Sequence, residues 1–175
     1  MNGVKKEEFK IRYDREKAVC YAKRWWNDRN PAYPAFANDC TNFVSQCLYA
    51  GNAPMRGAPN PSVGWWMNAA VEEWSYSWSV SHSLRWYLET SRQGLMATRV
   101  FSPTQLDVGD VIAYDFSGDG RIDHTTIVTS ISGGIPYVHA HSSDSANRMY
   151  HYRDSTAATP NMRYYYFHIA DVFYD

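Results

Sequence analysis

The sequence predicts an α+β domain, and three observations predict it. Apolar residues recur at helical spacing through the first half of the chain, the period turns to alternation after Gly94, and the pair Gly133-Gly134 marks a tight turn between two of the alternating runs. Helices gathered in one half and strands in the other give α+β, not an alternating α/β order. With 175 residues, 45% hydrophobic and 20% charged, the chain is expected to form one globular domain over residues 1–175.

The elements follow in order. Residues 13–29 read as a helix, with Asp14 as N-cap and Val19, Ala22, Trp25 and Trp26 on one stripe, stopped by Asn30-Pro31. A turn-rich approach over 31–39 leads to a second helix at 40–50. Its apolar face is Phe43, Val44, Cys47 and Leu48, and Gly51 holds the C-cap position. Residues 52–64, rich in Pro, Gly and Asn, form a loop; 79–90 is a third helix. Strands are predicted at 98–101, 110–114, 124–131, 135–142 and 162–168, with 144–161 as a long polar, mobile connection.

Composition excludes several roles. Lys plus Arg is 17 against 18 for Asp plus Glu, so no whole-protein basic field exists for nucleic acid. No apolar run approaches the roughly 20 residues of a membrane helix. Residues 1–12 are polar and lysine-rich, so no signal peptide is expected in this chain. That fits a cytoplasmic protein, or an envelope or extracellular domain without its leader. The aromatic share of 16% suits a core of large rings, or a groove around Trp65, Trp66, Trp74 and Trp78 that stacks sugars or peptides.

Three cysteines, Cys20, Cys40 and Cys47, cannot complete a disulfide framework, and none has metal-finger spacing to another Cys or to a His. Cys20 and Cys47 read as small buried hydrophobes. Cys40 opens a helix, where unpaired N–H groups and the helix dipole favour a thiolate. A thiolate nucleophile needs a base, usually His. Of the six histidines, His82 and His168 suit surface or packing roles, and His124 opens a strand. His139 and His141 share a face of the next strand. A two-residue turn at Gly133-Gly134 sets Ser132 against Ile135, and an unbroken ladder then makes His141 the diagonal neighbour of His124. That would orient the base; a polar sheet face that merely holds three histidines is the alternative. Asp115 to Asp123 has the first nine positions of a calcium loop, but Thr126 stands where the bidentate Glu belongs, so a tight polar turn is expected and no metal or other cofactor.

The run Asp39-Cys40-Thr41-Asn42-Phe43-Val44 resembles the Asp-Cys-Ser-Gly-Phe-Val signature of NlpC-type cysteine peptidases. The longer run from Asn38 through Gln46 resembles more closely a bacterial putative-amidase domain family with a papain-like core. So do Asn30-Pro31-Ala32-Tyr33-Pro34, Gly109-Asp110-Val111-Ile112, Gly118 through His124, and Ala140-His141-Ser142-Ser143-Asp144. The resemblance spans nearly the whole chain. It implies a papain-like fold, with the nucleophile helix packed on an antiparallel sheet. It implies amide hydrolysis through a thioester, with Cys40 as nucleophile, His124 as base then acid, and the Cys40 N–H as an oxyanion donor. It also implies that Asp39, beside Asn38, holds a substrate amino group. For the third residue the NlpC pattern favours His139; the amidase pattern and the strand arithmetic favour His141. The expected substrate is a peptide or a peptidoglycan-derived fragment, and the expected state is a monomer. The alternatives are acyl transfer of the transglutaminase kind on the same core, or a non-catalytic peptide- or glycan-binding module.

Overall fold

The computed structural model describes residues 9–175. Most of the polar start used in the argument about a signal peptide lies outside the described residues. Among them, no helix is long and apolar enough to cross a membrane. The elements run β1 (Lys10–Arg12), α1 (Arg15–Trp25), α2 (Cys40–Ala50), β2 (Met67–Asn68), β3 (Glu73–Trp74), α3 (Tyr76–Ser79), α4 (Ser81–Thr90) and β4 (Ala97–Val100). Then come β5 (Val111–Asp115), β6 (His124–Ser132), β7 (Ile135–Ala140), β8 (Ser145–Met149), β9 (Arg163–Ile169) and β10 (Val172–Tyr174). The class is α+β, as predicted. Six strands form one antiparallel sheet in the order β4-β9-β5-β6-β7-β8.

Alternation along the strands divides the apolar residues between two faces. Val111, Ala113, Ile127 and Phe167 join the main core with Phe43, Val44, Cys47 and Leu48 of α2. Burying each large apolar side chain there contributes about 1.5–3 kcal/mol. On the other face, Ile112, Tyr114, Val128, Val138 and Tyr166 pack with Leu106, Phe116 and Tyr152. The connection through 150–162 covers part of that face.

Helix α2 is buried all round from Cys40 to Leu48, its polar residues included. A buried polar group must be paired, and these are. The Thr41 hydroxyl meets that of Ser81 at 2.7 Å, Asn42 Nδ2 donates to Pro34 O, Ser45 Oγ donates to Trp78 O, and Gln46 Oε1 accepts from the Tyr21 hydroxyl. Gly51 caps the helix with φ −81°, outside the left-handed region. It is needed for space: a Cβ there would meet the Tyr13 ring at 2.5 Å.

Three expectations change. Strand β8 lies inside the segment read as a connection, and β1 pairs with β10 in a separate small sheet. Cys20 is exposed on α1, not buried. The hairpin ladder is not continuous: Ser132 pairs with Ile135, as the two-residue turn requires, but a bulge between Val128 and Ser130 sets Ile127 against His139 instead of Ala140.

Candidate active site

Cys40 is 2% exposed at the start of α2, yet its sulfur is not packed as a hydrophobe. The Ser81 hydroxyl lies 3.3 Å from Sγ and the Thr41 hydroxyl 3.6 Å, and the thiol donates to Asn38 Oδ1 at 3.5 Å. Cys47, one face further into the helix, sits in apolar surroundings, and burial pushes its thiol well above the usual range.

Ser81 also ties the thiol to the strand that carries the candidate base. Its neighbour His82 accepts the Ile122 N–H on Nδ1 at 3.1 Å, two residues before His124. The starts of α2, α4 and β6 therefore meet in one place. His124 is 6% exposed, and burial, reinforced by the charge of Arg148, pulls its pKa down to about 3, so the ring is neutral near pH 7. Its Nε2 lies 3.0 Å from the Tyr152 hydroxyl, and its ring stacks on Phe116 and tilts against Tyr114. No hydrogen bond joins Cys40 to His124 among the described residues.

The bulge overturns the expectation that His141 orients His124. With Ile127 opposite His139, the odd positions 139 and 141 share the helix-side face, whereas His124 falls on the other. His141 instead places Nδ1 2.6 Å from Asp39 Oδ2 and Nε2 2.8 Å from Trp25 O, and stacks on Phe43 with centroids 4.1 Å apart. His139 has its Nδ1 2.6 Å from the Thr129 hydroxyl, inside the bulge, so neither histidine is the partner of His124.

Asp39 is likewise committed internally. Its Oδ1 accepts the Phe36 N–H and the Asn42 side-chain N–H, its Oδ2 faces His141, and Arg29 lies 3.6 Å away. Burial raises its pKa, but the hydrogen bonds from His141, Asn42 and Phe36 outweigh that and hold it below the ordinary value. It is 1% exposed, and both of its oxygens already have partners inside the protein. Asn38 remains exposed beside the thiol.

Trp65 and Trp66 do not form a groove. They are 0% and 2% exposed. Trp65 Nε1 donates to Ser45 Oγ, and Trp66 Nε1 to the carbonyls of Asn60 and Val63. The calcium-like loop is filled by its own backbone: Asp115 accepts the N–H groups of Gly118, Asp119 and Gly120, and Asp123 accepts that of Phe116. No cluster of His, Cys, Asp or Glu suited to a metal occurs among the described residues.

Sequence reasoning missed Ser81 and Tyr152. Ser81 had no signal beyond its place at a helix start. Tyr152 lay in the segment read as a mobile connection, and only the fold brings it to His124.

Comparison with known proteins places these features in a family. Residues 12–167 match the model described as "Putative amidase domain". The chain is 56% identical over 162 residues to the uncharacterized protein YhbB of Bacillus subtilis (strain 168), covering 92% of this chain and 51% of that protein. It is 32% identical over 138 residues to the uncharacterized protein YjcM of the same organism, covering 74% of this chain and 31% of that one. The chain thus spans about half the length of the first of these relatives and about a third of the second. No solved structure matches. The family's description points, at a coarse level, to amide hydrolysis. By the extent of that match, the chain belongs to the "Putative amidase domain" family.

Proposed function

We propose that this domain is a cysteine-type amide hydrolase with a papain-like core of the NlpC kind, acting on peptides of bacterial cell-wall type. The observation that carries the reading is the setting of Cys40: a thiol at the first turn of a buried helix, ringed by Ser81, Thr41 and Asn38, with the neutral imidazole of His124 delivered by a strand tied to the same corner.

In this reading His124 Nδ1 takes the Cys40 proton as the sulfur bonds to the amide carbonyl carbon. The Cys40 backbone N–H, at the helix start, supports the oxyanion. Collapse of the tetrahedral intermediate breaks the C–N bond. The amine leaves with the proton from His124, and a thioester remains. Water, deprotonated by His124, then opens the thioester to a carboxylate and the free thiol. Asp39 takes no proton in this scheme; held by His141 and Arg29, it anchors the chain directly before the nucleophile.

Incubation with muropeptides followed by mass spectrometry tests the reading. Wild-type protein is expected to cut an amide bond, with gain of one water in the products, while Cys40→Ala and His124→Ala abolish cleavage and keep the fold. Cleavage that survives Cys40→Ala overturns the cysteine mechanism. Transfer of the acyl group to an added amine in place of water would instead assign acyl transfer.

A further inference from the structure

We propose that Tyr152 is the positioning residue of the His124 base, holding its ring and tautomer through Nε2; this rests on the cysteine-hydrolase reading above. His124 makes its hydrogen bond through Nε2, to the Tyr152 hydroxyl at 3.0 Å. A neutral imidazole carries one proton. With it on Nε2, donated to the phenol oxygen, Nδ1 is left bare and able to accept the thiol proton. With it on Nδ1, the base is unusable. A hydroxyl can donate or accept; in the arrangement proposed, the phenol oxygen accepts the Nε2 proton and Nδ1 stays bare.

The structure holds Tyr152 for this task. The side chain is 3% exposed, its ring packs on Tyr114 and His124 at centroid distances of 4.7 and 4.9 Å, and the Arg148 guanidinium lies 3.8 Å over it. The backbone is left-handed, with φ +54°, a conformation an aromatic residue adopts only when its surroundings impose it. Strand β8 and the turn after it therefore present one phenol to one imidazole. Burial pushes that phenol up to about 12, so it stays protonated and does not place a negative charge beside the base.

Two measurements test this. Nitrogen-15 NMR of the His124 ring, assigned by its loss in His124→Gln, is expected to show Nε2 protonated and Nδ1 bare in wild type. In Tyr152→Phe, which keeps the ring and its packing, the Nδ1-protonated form is expected to appear. A bare Nε2 in wild type, or an unchanged tautomer in the variant, overturns the proposal. In parallel, iodoacetamide alkylation of Cys40 at pH 7 is followed by peptide mass spectrometry, with exposed Cys20 as internal reference. Tyr152→Phe is expected to slow Cys40 about ten- to a hundredfold, the weight of a single hydrogen bond to the base, with Cys20 and the melting temperature nearly unchanged. An unchanged Cys40 rate in Tyr152→Phe overturns the positioning role, provided that His124→Ala slows it. An unchanged rate in His124→Ala removes the hydrolase reading instead, and the tautomer measurement still decides whether Tyr152 sets the ring.

Discussion

His141 Nδ1 lies 2.6 Å from Asp39 Oδ2, and this contact fastens the end of β7 to the residue immediately before Cys40. Both side chains are almost wholly buried, so the carboxylate depends on its partners for the hydration it has lost. Replacing His141 by Ala removes one of them and the ring stacked on Phe43. The expected loss is about 2–3 kcal/mol of stability, the range for a buried hydrogen bond to a charged group. Urea unfolding should show a lower midpoint at unchanged slope; a wild-type midpoint would mean that Phe36, Asn42 and Arg29 hold Asp39 without His141.

The three thiols should separate by environment. Cys20 is exposed and should react with a thiol reagent in the folded protein, whereas Cys47, fully buried, should react only on unfolding. Cys47→Ser places a hydroxyl among Phe43, Val44 and Leu48 and should cost about 1–3 kcal/mol. Cys40→Ala, which leaves Ser81 and Thr41 bonded to each other, should cost less than about 1 kcal/mol. A thiol count against urea concentration, with the two unfolding midpoints, checks both.

Stability should fall on the acid side. Burial pulls His124 down to about 3 and His139 to about 4, the latter also facing the charge of Lys23. Both pKa values lie below the unfolded value of about 6.5, so the unfolded chain binds these protons first as pH drops. The stabilisation is complete above about pH 6.5 and is lost toward pH 4 at up to about 1.4 kcal/mol per pH unit for each histidine. Unfolding midpoints at pH 7.5 and pH 5 measure the slope, and His139→Gln should flatten it; an unchanged slope would remove His139 from the account.

The loop after β5 should not need an ion. Asp115 accepts three backbone N–H groups there, so EDTA should leave the melting temperature unchanged, while Asp115→Ala should cost about 2–4 kcal/mol. A melting temperature that falls with EDTA and recovers with calcium would reassign the loop.

Much of the fold was legible because it rests on local signals. Cys40–Ala50 appears with the predicted bounds, since its apolar stripe and flanking turn residues agree, and β6 begins at His124, where a polar turn ends. The pairing of Ser132 with Ile135 followed from the two glycines. The bulge at Thr129 did not show: Thr in an alternating strand gives no local sign of doubling, and the Thr129–His139 bond that accompanies it joins residues ten apart. One unseen residue moved His141 to the other face and so misassigned the partner of His124. Tyr152 and Ser81 escaped for a related reason, as their contacts span 28 and 41 positions. The aromatic residues read as a possible groove, Trp65 and Trp66, turned out to be core; composition cannot tell a stacking surface from packing.

The bulge divides the β6–β7 hairpin into two halves that differ in register by one residue. Toward the strand ends, side-chain parity is fixed by the cores on both faces, and a single inserted residue there would turn His124 or His139 over. Beyond Thr129 the hairpin runs outward to Gly133 and Gly134, where an added Cβ meets nothing within 4 Å. The tip is thus insulated from the corner where α2, α4 and β6 meet. It is the place where this domain accepts an inserted loop, a label or a fused partner, because a longer loop at the exposed tip leaves the pairing of Ser132 with Ile135, and all pairing inward of it, unchanged.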